Sequence, residues 1–594
     1  MTSPSATGQL SVQAPDLVTA FAEAAEVNPI KSAVTFLRNG KTVSAQLSYA
    51  DLMDRVAAIG CGASELAPPG SRIPLLMRSS ENYVAALFGL MAAGLVPVPL
   101  FPPRGDRQME RIKGILSSCE PAFTLIEDGQ DDQVRNALPL ALQAVPRYPV
   151  EALATIGANG RLADLEHCKP ATSDRAILQY TSGSTRSPKG VAIDHDVALA
   201  NIRCIFSRYE FTENGIAIDW LPPYHDMGLF GCILTPLLRG GGIVKMPPEA
   251  FVARPWRWLQ AISNFGTDRQ VYAGGPNFAY ESCISQVSDA QMENLDLSPW
   301  FVAYNGAEPV RARTLTRFAS RFRRVGFDSR AWFPCYGMAE ATLMISGPSP
   351  RAAPPAYPVS RSRLTAGCVE PVLPDDETAE WVVPCGRVID GHQLTIVDPN
   401  TYEPLADGRI GEIWFSGSSV ARSYFGNPEA TRETLKAQTA DGVGRYLRTG
   451  DLGFLRDGYI HVTGRMSDIL IIDGQNHYPN DLEGDVEETL AGHPIHKVAV
   501  FAVERAESRS EIIAVVEWGR TERETIPNAV RSVRELIFAR RGIPIDRISI
   551  VERGAIPLTS SGKVRRATTR QLYLKNQLKL VWNDLKSSER ELTS

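Results

Sequence analysis

Tyr180-Thr-Ser-Gly-Ser-Thr-Arg-Ser-Pro-Lys-Gly190 is the stretch on which the reading of this chain turns. The apolar run Ala176–Tyr180 predicts a short strand leading into it, and Val197–Tyr209 predicts a helix beyond it. Small hydroxyl residues and glycines let backbone N–H groups approach phosphate oxygens closely, and the hydroxyls add donors of their own. It is not a Walker A loop, which closes on Gly-Lys-Ser/Thr. Here Lys189 follows Pro188 and precedes Gly190. A plain Ser/Gly turn has the same composition, so on these residues alone both readings stand.

Working outward, short β-rich runs alternate with helical stretches, the pattern of α/β layering. Arg72–Met77, a helix from Ser80 to about Ala93 and Leu95–Leu100 read as a βαβ unit. Ile410–Ser416 and Tyr459–Thr463 are strand-like among Gly and Asp turns. Pro348–Pro374, rich in proline with little periodicity, reads as a long irregular insertion. Beyond a second joint near Arg465–Asp468, a small α+β unit is predicted. Its parts are Ile469–Asp473, a helix Pro479–Ala491, strands Lys497–Val503 and Ile512–Glu517, and a helix Ile526–Arg541.

At 594 residues the chain exceeds what one hydrophobic core supports, so two to four domains are expected. Sixty-two Lys+Arg against sixty-seven Asp+Glu, a net charge of −5, argues against a nucleic-acid partner. Nine cysteines stand singly with no C-x-x-C pair, which fits a reducing cytoplasm better than a disulfide framework or a zinc site. The first residues carry neither a basic start nor an apolar core, so no secretory signal is expected. The uncharged run Asn82–Pro103 is long enough to span a bilayer, but its glycines and prolines predict a buried helix ending at Gly94 and then a strand.

Further motifs follow in order. Thr181-Ser-Gly-Ser-Thr185 with Pro188-Lys189-Gly190, Tyr336-Gly-Met-Ala-Glu340, Tyr446-Leu-Arg-Thr-Gly-Asp451, Gly464-Arg465 and Pro557-Leu-Thr-Ser-Ser-Gly-Lys563 together resemble the signatures of the adenylate-forming superfamily. Trp220-Leu-Pro-Pro-Tyr-His-Asp-Met-Gly228, Asn305-Gly-Ala-Glu-Pro309, Gly474-Gln-Asn-His-Tyr-Pro479 and an extra segment at about 348–382 resemble its fatty acyl-AMP ligase branch. The resemblance runs roughly from Phe21 to Leu578. It implies a large multi-subdomain N-terminal domain (1–465) and a small mobile α+β C-terminal domain (466–594), joined by a hinge.

The resemblance also implies roles. ATP and Mg²⁺ would be used to convert a fatty acid to its acyl-adenylate. Thr181, Ser182, Gly183, Ser184, Thr185 and Lys189 would hold the β/γ-phosphates. Lys563 would bridge the attacking carboxylate and the α-phosphate. Glu340 would ligate Mg²⁺, a hard cation suited to carboxylate oxygen; a helix-start Glu is the plainer reading. Tyr336, with Gly337 and Met338, would meet adenine on one face, and Asn305, Gly306 and Ala307 on the other. Asp451 would accept from the ribose hydroxyls, and Arg465 would bind ribose or phosphate, or else is a surface arginine beside the hinge. His225 and Met227 would wall the acyl channel near the reacting carboxylate, though His225 reads equally as a core histidine. The stretch from Gly274 to Tyr280 would line an apolar tunnel.

Three departures qualify the match. Ala339 stands where the wider superfamily has a hydroxyl, Arg186 where many relatives have Gly, and Ser467 at the hinge where Lys or Asp is commoner. The expected acceptor is an acyl carrier protein, with the insertion disfavouring coenzyme A. The basic end (Lys563, Arg565, Arg566, Arg570, Lys575, Lys579) is either a docking surface for that acidic partner or an ordinary charged helix face. An acyl-CoA synthetase and a non-catalytic adenylate-binding scaffold are the competing readings.

Overall fold

Six strands run parallel in the largest sheet, in the order Trp332–Pro334, Trp300–Asn305, Gln270–Gly275, Gly215–Asp219, Gly242–Lys245 and Ser32–Leu37. Val43–Ser48 closes it as an antiparallel edge. Parallel strands are covered on both faces, and Gly215–Asp219 and Gly242–Lys245 are accordingly buried at every residue. The computed structural model describes residues 14–102, 106–129, 134, 136, 138–181, 188–472, 475–505, 508–559 and 562–583. The chain forms two units. The first runs to Pro355 and adds Val383–Leu394 and Trp414–Arg448; the second joins Ala356–Val382 and Thr395–Ile413 to everything from Thr449 onward.

In the first unit, helices Trp256–Phe265, Asn277–Gln286 and Ala312–Phe322 cover the large sheet through an aromatic cluster. Trp258, Tyr280, Trp300, Phe318 and Trp332 meet edge to face with centroids 4.8–5.9 Å apart. Such pairs contribute about 0.5–1.5 kcal/mol each beyond their buried area. A second parallel sheet holds Val96–Leu100, Arg72–Leu76, Thr124–Ile126 and Arg147–Pro149. The uncharged run behaves as its glycines and prolines predict. Ser80 caps a helix Glu81–Ala92, Gly94 turns the chain with φ +67°, and Val96–Leu100 is a buried strand. Among the described residues no helix is long and apolar enough to cross a membrane.

The second unit is built on a sheet of Ile495–Arg505, Ser508–Trp518, Arg547–Glu552 and Leu580–Asn583. Its period of two sorts the residues. Val498, Val500, Ile512, Ala514 and Val516 pack on one face with Leu482, Val486, Val533 and Ile537 from helices Pro479–Thr489 and Ile526–Arg541. Ala499, Phe501, Ile513 and Val515 pack on the other face with Leu572 of helix Arg566–Leu574.

The insertion differs from expectation: it is not irregular throughout. Tyr357–Ser360 pairs antiparallel with Ala379–Val382, a helix Arg361–Thr365 follows the first strand, and Val359, Leu364 and Phe454 form a small core. Its order comes from contacts distant in sequence, which periodicity does not register. Arg361 donates to the carbonyl of Arg540 at 2.8 Å, and Arg541 lies 3.2 Å from Glu380. Burial works against the charge on Arg541; the carboxylates of Asp481, Glu380 and Asp485 overcome it and hold the guanidinium above its usual pKa. Removing one partner of a buried ion pair costs about 3–5 kcal/mol, because the other charges remain desolvated. Arg541→Ala is therefore expected to lower the chemical-denaturation midpoint of the second unit markedly. An unchanged midpoint would show that this cluster does not stabilise it.

Candidate active site

The register of the large sheet decides which residues share its carboxyl edge. Gly275 pairs with Asn305, and Asn305 with Pro334, so three strand ends fall in one row. In open α/β sheets ligands bind beyond such ends. Tight packing requires glycine there: a Cβ on Gly274 would stand 2.1 Å from the Tyr304 carbonyl oxygen, and one on Gly306 2.8 Å from that of Cys335. Asn305 is fully buried. Its Nδ2 donates to Asn277 Oδ1 at 3.4 Å, while its Oδ1 is buried without a hydrogen-bond partner. Ala307 follows with φ +68°, a left-handed conformation that costs a residue with a Cβ about 1–3 kcal/mol.

Tyr336 and Gly337 form a short strand antiparallel to Met344–Gly347, and the Met338 N–H donates to the Leu343 carbonyl at 2.9 Å. That tight return carries Glu340 into a 3₁₀ turn, Ala339–Ala341. Glu340 is buried, and its Oε1 accepts from Tyr424 Oη at 2.9 Å. The Lys189 ammonium lies 5.2 Å from the centre of the Tyr424 ring. Tyr424 thus joins the carboxylate of one motif to the lysine of another. Thr181 donates its N–H to the Lys189 carbonyl at 3.3 Å, and Arg111 donates to the Thr181 carbonyl. Ser182, Gly183, Ser184 and Thr185 lie outside the described residues.

Tyr424 and Arg111 were not visible in the sequence. Tyr424 reaches Glu340 because Ser423–Tyr424 pairs with strand Gly190–Asp194, a register no local pattern announces. His225 is half-buried, with Nδ1 3.4 Å from Asp226 Oδ1. Asp226 accepts from the Met227 N–H at 2.7 Å and so caps a π-helical segment, Met227–Leu234. Such segments are rare and recur at functional sites. Behind it, Lys245 pairs with Asp219 in full burial; burial pushes the Asp219 carboxyl up and Lys245 opposes it.

Asp451, Arg465 and Lys563 belong to the second unit. Asp451 and Arg465 are cross-strand partners, with Arg465 Nε donating to Asp451 Oδ1 at 2.9 Å. Asp451 also receives support from its own strand, its N–H donating to Thr449 Oγ1 at 3.1 Å. Lys563 sits at a hairpin turn after Gly562 (φ +86°), and its N–H donates to Thr559 Oγ1 at 3.0 Å. Three residues on, Arg566 bonds Asp468 in the turn Met466–Asp468 at 2.9 Å and Glu483 at 2.6 Å. Arg566 is therefore held within the fold, and so is Arg570, which donates to the Ala502 carbonyl. The basic end expected as a docking surface has two of its charges engaged in this way.

Residues 21–425 match the family model described as AMP-binding enzyme. A long-chain-fatty-acid–AMP ligase, FadD32 of Mycolicibacterium smegmatis, is 32% identical over 90% of each chain. The chain belongs to the fatty acyl-AMP ligase branch of the AMP-binding enzyme family. Other relatives of this ligase agree. A medium-chain-fatty-acid–acyl-carrier-protein ligase, TtuA of Teredinibacter turnerae, is 33% identical over 96% of this chain and 95% of that protein. A fatty acyl-adenylate ligase of L. pneumophila, solved with acyl adenylate and pyrophosphate, is 31% identical with a TM-score of 0.73, covering 96% of this chain and 98% of that one. Residues 467–582 separately match the Disco-interacting protein 2-like AMP domain.

Gly337 tests the geometry of the site. A Cβ there would stand 1.8 Å from the Leu343 carbonyl oxygen, so the turn that presents Tyr336 and Glu340 must shift. Overpacking of this kind costs about 1–3 kcal/mol. Gly337→Ala is expected to weaken binding of a non-hydrolysable acyl-adenylate analogue roughly tenfold or more by calorimetry. Unchanged affinity would place the nucleotide site elsewhere.

Proposed function

We propose that this ligase activates a medium- or long-chain fatty acid with ATP, releasing pyrophosphate, and passes the acyl group from the adenylate to an acyl carrier protein. The observation that carries this reading is the Lys189–Tyr424–Glu340 arrangement, in the same unit as the Asn305–Ala307 loop. It brings together a lysine, an aromatic hydroxyl and a buried carboxylate. In-line attack of a carboxylate on an α-phosphate needs positioning and neutralisation of charge, which such groups provide.

On this reading, Thr181 and Lys189, with the loop between them, hold the departing phosphates. The Asn305–Ala307 loop meets one face of adenine, and Tyr336 the other. Asp451, oriented by Arg465, accepts from the ribose hydroxyls. His225 and Met227 border the reacting carboxylate, and the Gly274–Tyr280 stretch borders the acyl chain. Glu340 fits Mg²⁺, which is commonly bound by one or two carboxylates together with substrate phosphates. The ion, when bound, would neutralise phosphate charge; Tyr424, whose hydroxyl donates to Glu340 Oε1, would hold that carboxylate in place.

The two functional parts are residues 1–465 and 466–594, hinged at Arg465–Asp468, and the second part moves to deliver Lys563. The two family matches, which end at 425 and resume at 467, support that division. Arg361 and Glu380 tie the insertion to helix Ile526–Arg541. That tie favours a role for the insertion in withholding the pose that admits coenzyme A, against the acyl-CoA synthetase reading. The cysteines, nine standing singly in the sequence with no C-x-x-C pair, support a cytoplasmic setting.

Lys563 is the direct test. Pyrophosphate release from ATP and Mg²⁺ is expected only when a fatty acid is present, and Lys563→Ala is expected to lower it about 10²–10³-fold, as loss of one transition-state donor does. Release that is independent of fatty acid, or indifferent to this substitution, would refute the assignment.

A further inference from the structure

The turn that carries Glu340 is strained and is held by its neighbours. Thr342, fully buried, has φ +71° and ψ −60°, the region of the rare γ-turn, which a β-branched residue adopts only where its surroundings impose it. One neighbour is Asn201, fully buried on helix His195–Tyr209. Its Nδ2 donates to the carbonyls of Ala341 at 3.2 Å and Met344 at 2.8 Å, and its Oδ1 accepts from the Met344 N–H at 3.0 Å. The other is the segment Gly417–Ala421, which clasps the turn twice. Thr342 Oγ1 donates to the Ser419 carbonyl at 2.9 Å, and the Ala421 N–H donates to the Glu340 carbonyl at 2.9 Å. The same segment runs on to Tyr424, whose hydroxyl bonds the Glu340 carboxylate. It therefore sets both the backbone and the side chain of Glu340.

His392 fixes that segment. Its Nε2 accepts from the Ser419 N–H at 3.1 Å, and its Nδ1 lies 2.9 Å from the Asp390 carbonyl oxygen. An N–H only donates and a carbonyl only accepts, so both bonds require the neutral ring protonated on Nδ1. Burial pushes the His392 pKa down and so favours that form, against the opposing pull of Asp390. The ring stacks on Phe415 with centroids 5.3 Å apart, and it lies so close to Gly417 that a Cβ there would stand 2.1 Å from its Cδ2. The Asp390 carboxylate in turn accepts from Arg208 at 2.9 Å, and Arg208 belongs to the helix that bears Asn201. One helix thus reaches the Glu340 turn by two routes, directly through Asn201 and indirectly through Arg208, Asp390, His392 and Ser419. It starts at His195, directly after strand Gly190–Asp194 and Lys189, so both routes tie the carboxylate to the phosphate-binding segment.

We propose that His392 is a positioning residue of the adenylation reaction, holding Ser419 and, through it, the turn that presents Glu340 to Mg²⁺. The inference rests on the reading of Glu340 as the Mg²⁺ ligand given above. His392 acts through the backbone alone. Without its Nε2 the Ser419 N–H loses its acceptor, and Thr342 is then bonded to a segment that is itself unanchored. Groups that orient a metal ligand in this way are typically worth about 10–100-fold in metal affinity.

The test uses the full-length enzyme and calorimetric binding of α,β-methylene-ATP, which cannot release pyrophosphate, in Mg²⁺ and in EDTA. His392→Phe keeps a ring to stack on Phe415 but removes the acceptor. His392→Gln keeps an acceptor for the Ser419 N–H. The Phe variant is expected to bind about tenfold more weakly in Mg²⁺ and within about twofold of the unmodified enzyme in EDTA, which reports an intact fold. The Gln variant is expected to stay within about threefold in both. In turnover, the Mg²⁺ concentration for half-maximal pyrophosphate release is expected to rise about tenfold for Phe, with the KM for fatty acid unchanged. Equal affinities for Phe and the unmodified enzyme in Mg²⁺ would overturn the proposal. So would an equal loss in both buffers, which would make His392 a residue of the fold alone, or a Gln variant as impaired as Phe. If Mg²⁺ does not strengthen binding to the unmodified enzyme, or if Glu340→Gln leaves that gain intact, the assignment of Glu340 fails instead.

Discussion

The shared carboxyl edge of the parallel sheet is the constraint from which the first unit's site follows. Parallel pairing puts the ends of Gln270–Gly275, Trp300–Asn305 and Trp332–Pro334 in one row, and each end then continues into a motif. Glycine at 274, 275 and 306 lets Tyr304, Trp220 and Cys335 pack closely against that row. Asn305, sealed beneath it, keeps one acceptor unpaired. The aromatic cluster of Trp258, Tyr280, Trp300, Phe318 and Trp332 holds the covering helices against the sheet.

The second unit solves a different problem, that of carrying charged groups on a small fold. Asp451 and Arg465 face each other across a hairpin, so each fixes the other's orientation. Arg566 joins the turn Met466–Asp468 to helix Pro479–Thr489 three residues after Lys563. Arg541 and Arg361 bind the insertion to the same unit. Ser467, in the joint proposed as a hinge, bonds its neighbour Asp468 at 3.0 Å, while Asp468 itself is held by Arg566.

Much of this was legible in the residues. The helix Ile526–Arg541 falls where its pattern predicts, and the buried helix and strand of the uncharged run were readable from Gly94 and the prolines. The order of the motifs identified the family that the comparisons then showed. What could not be read were pairings between distant segments. The insertion, irregular by periodicity, is ordered by Phe454 and Arg541 from far along the chain. Tyr424 looked like any buried aromatic until its strand register brought its hydroxyl to Glu340.

The central claim is that the acyl group stops at the adenylate until a carrier protein takes it. Mass spectrometry of products from the purified protein with ATP, Mg²⁺ and a ladder of fatty acids, with coenzyme A added to half the reactions, addresses it most directly. Acyl-AMP that accumulates equally in both sets, with no acyl-CoA, is the predicted result. Efficient conversion to acyl-CoA would contradict it and remove the role assigned to the insertion.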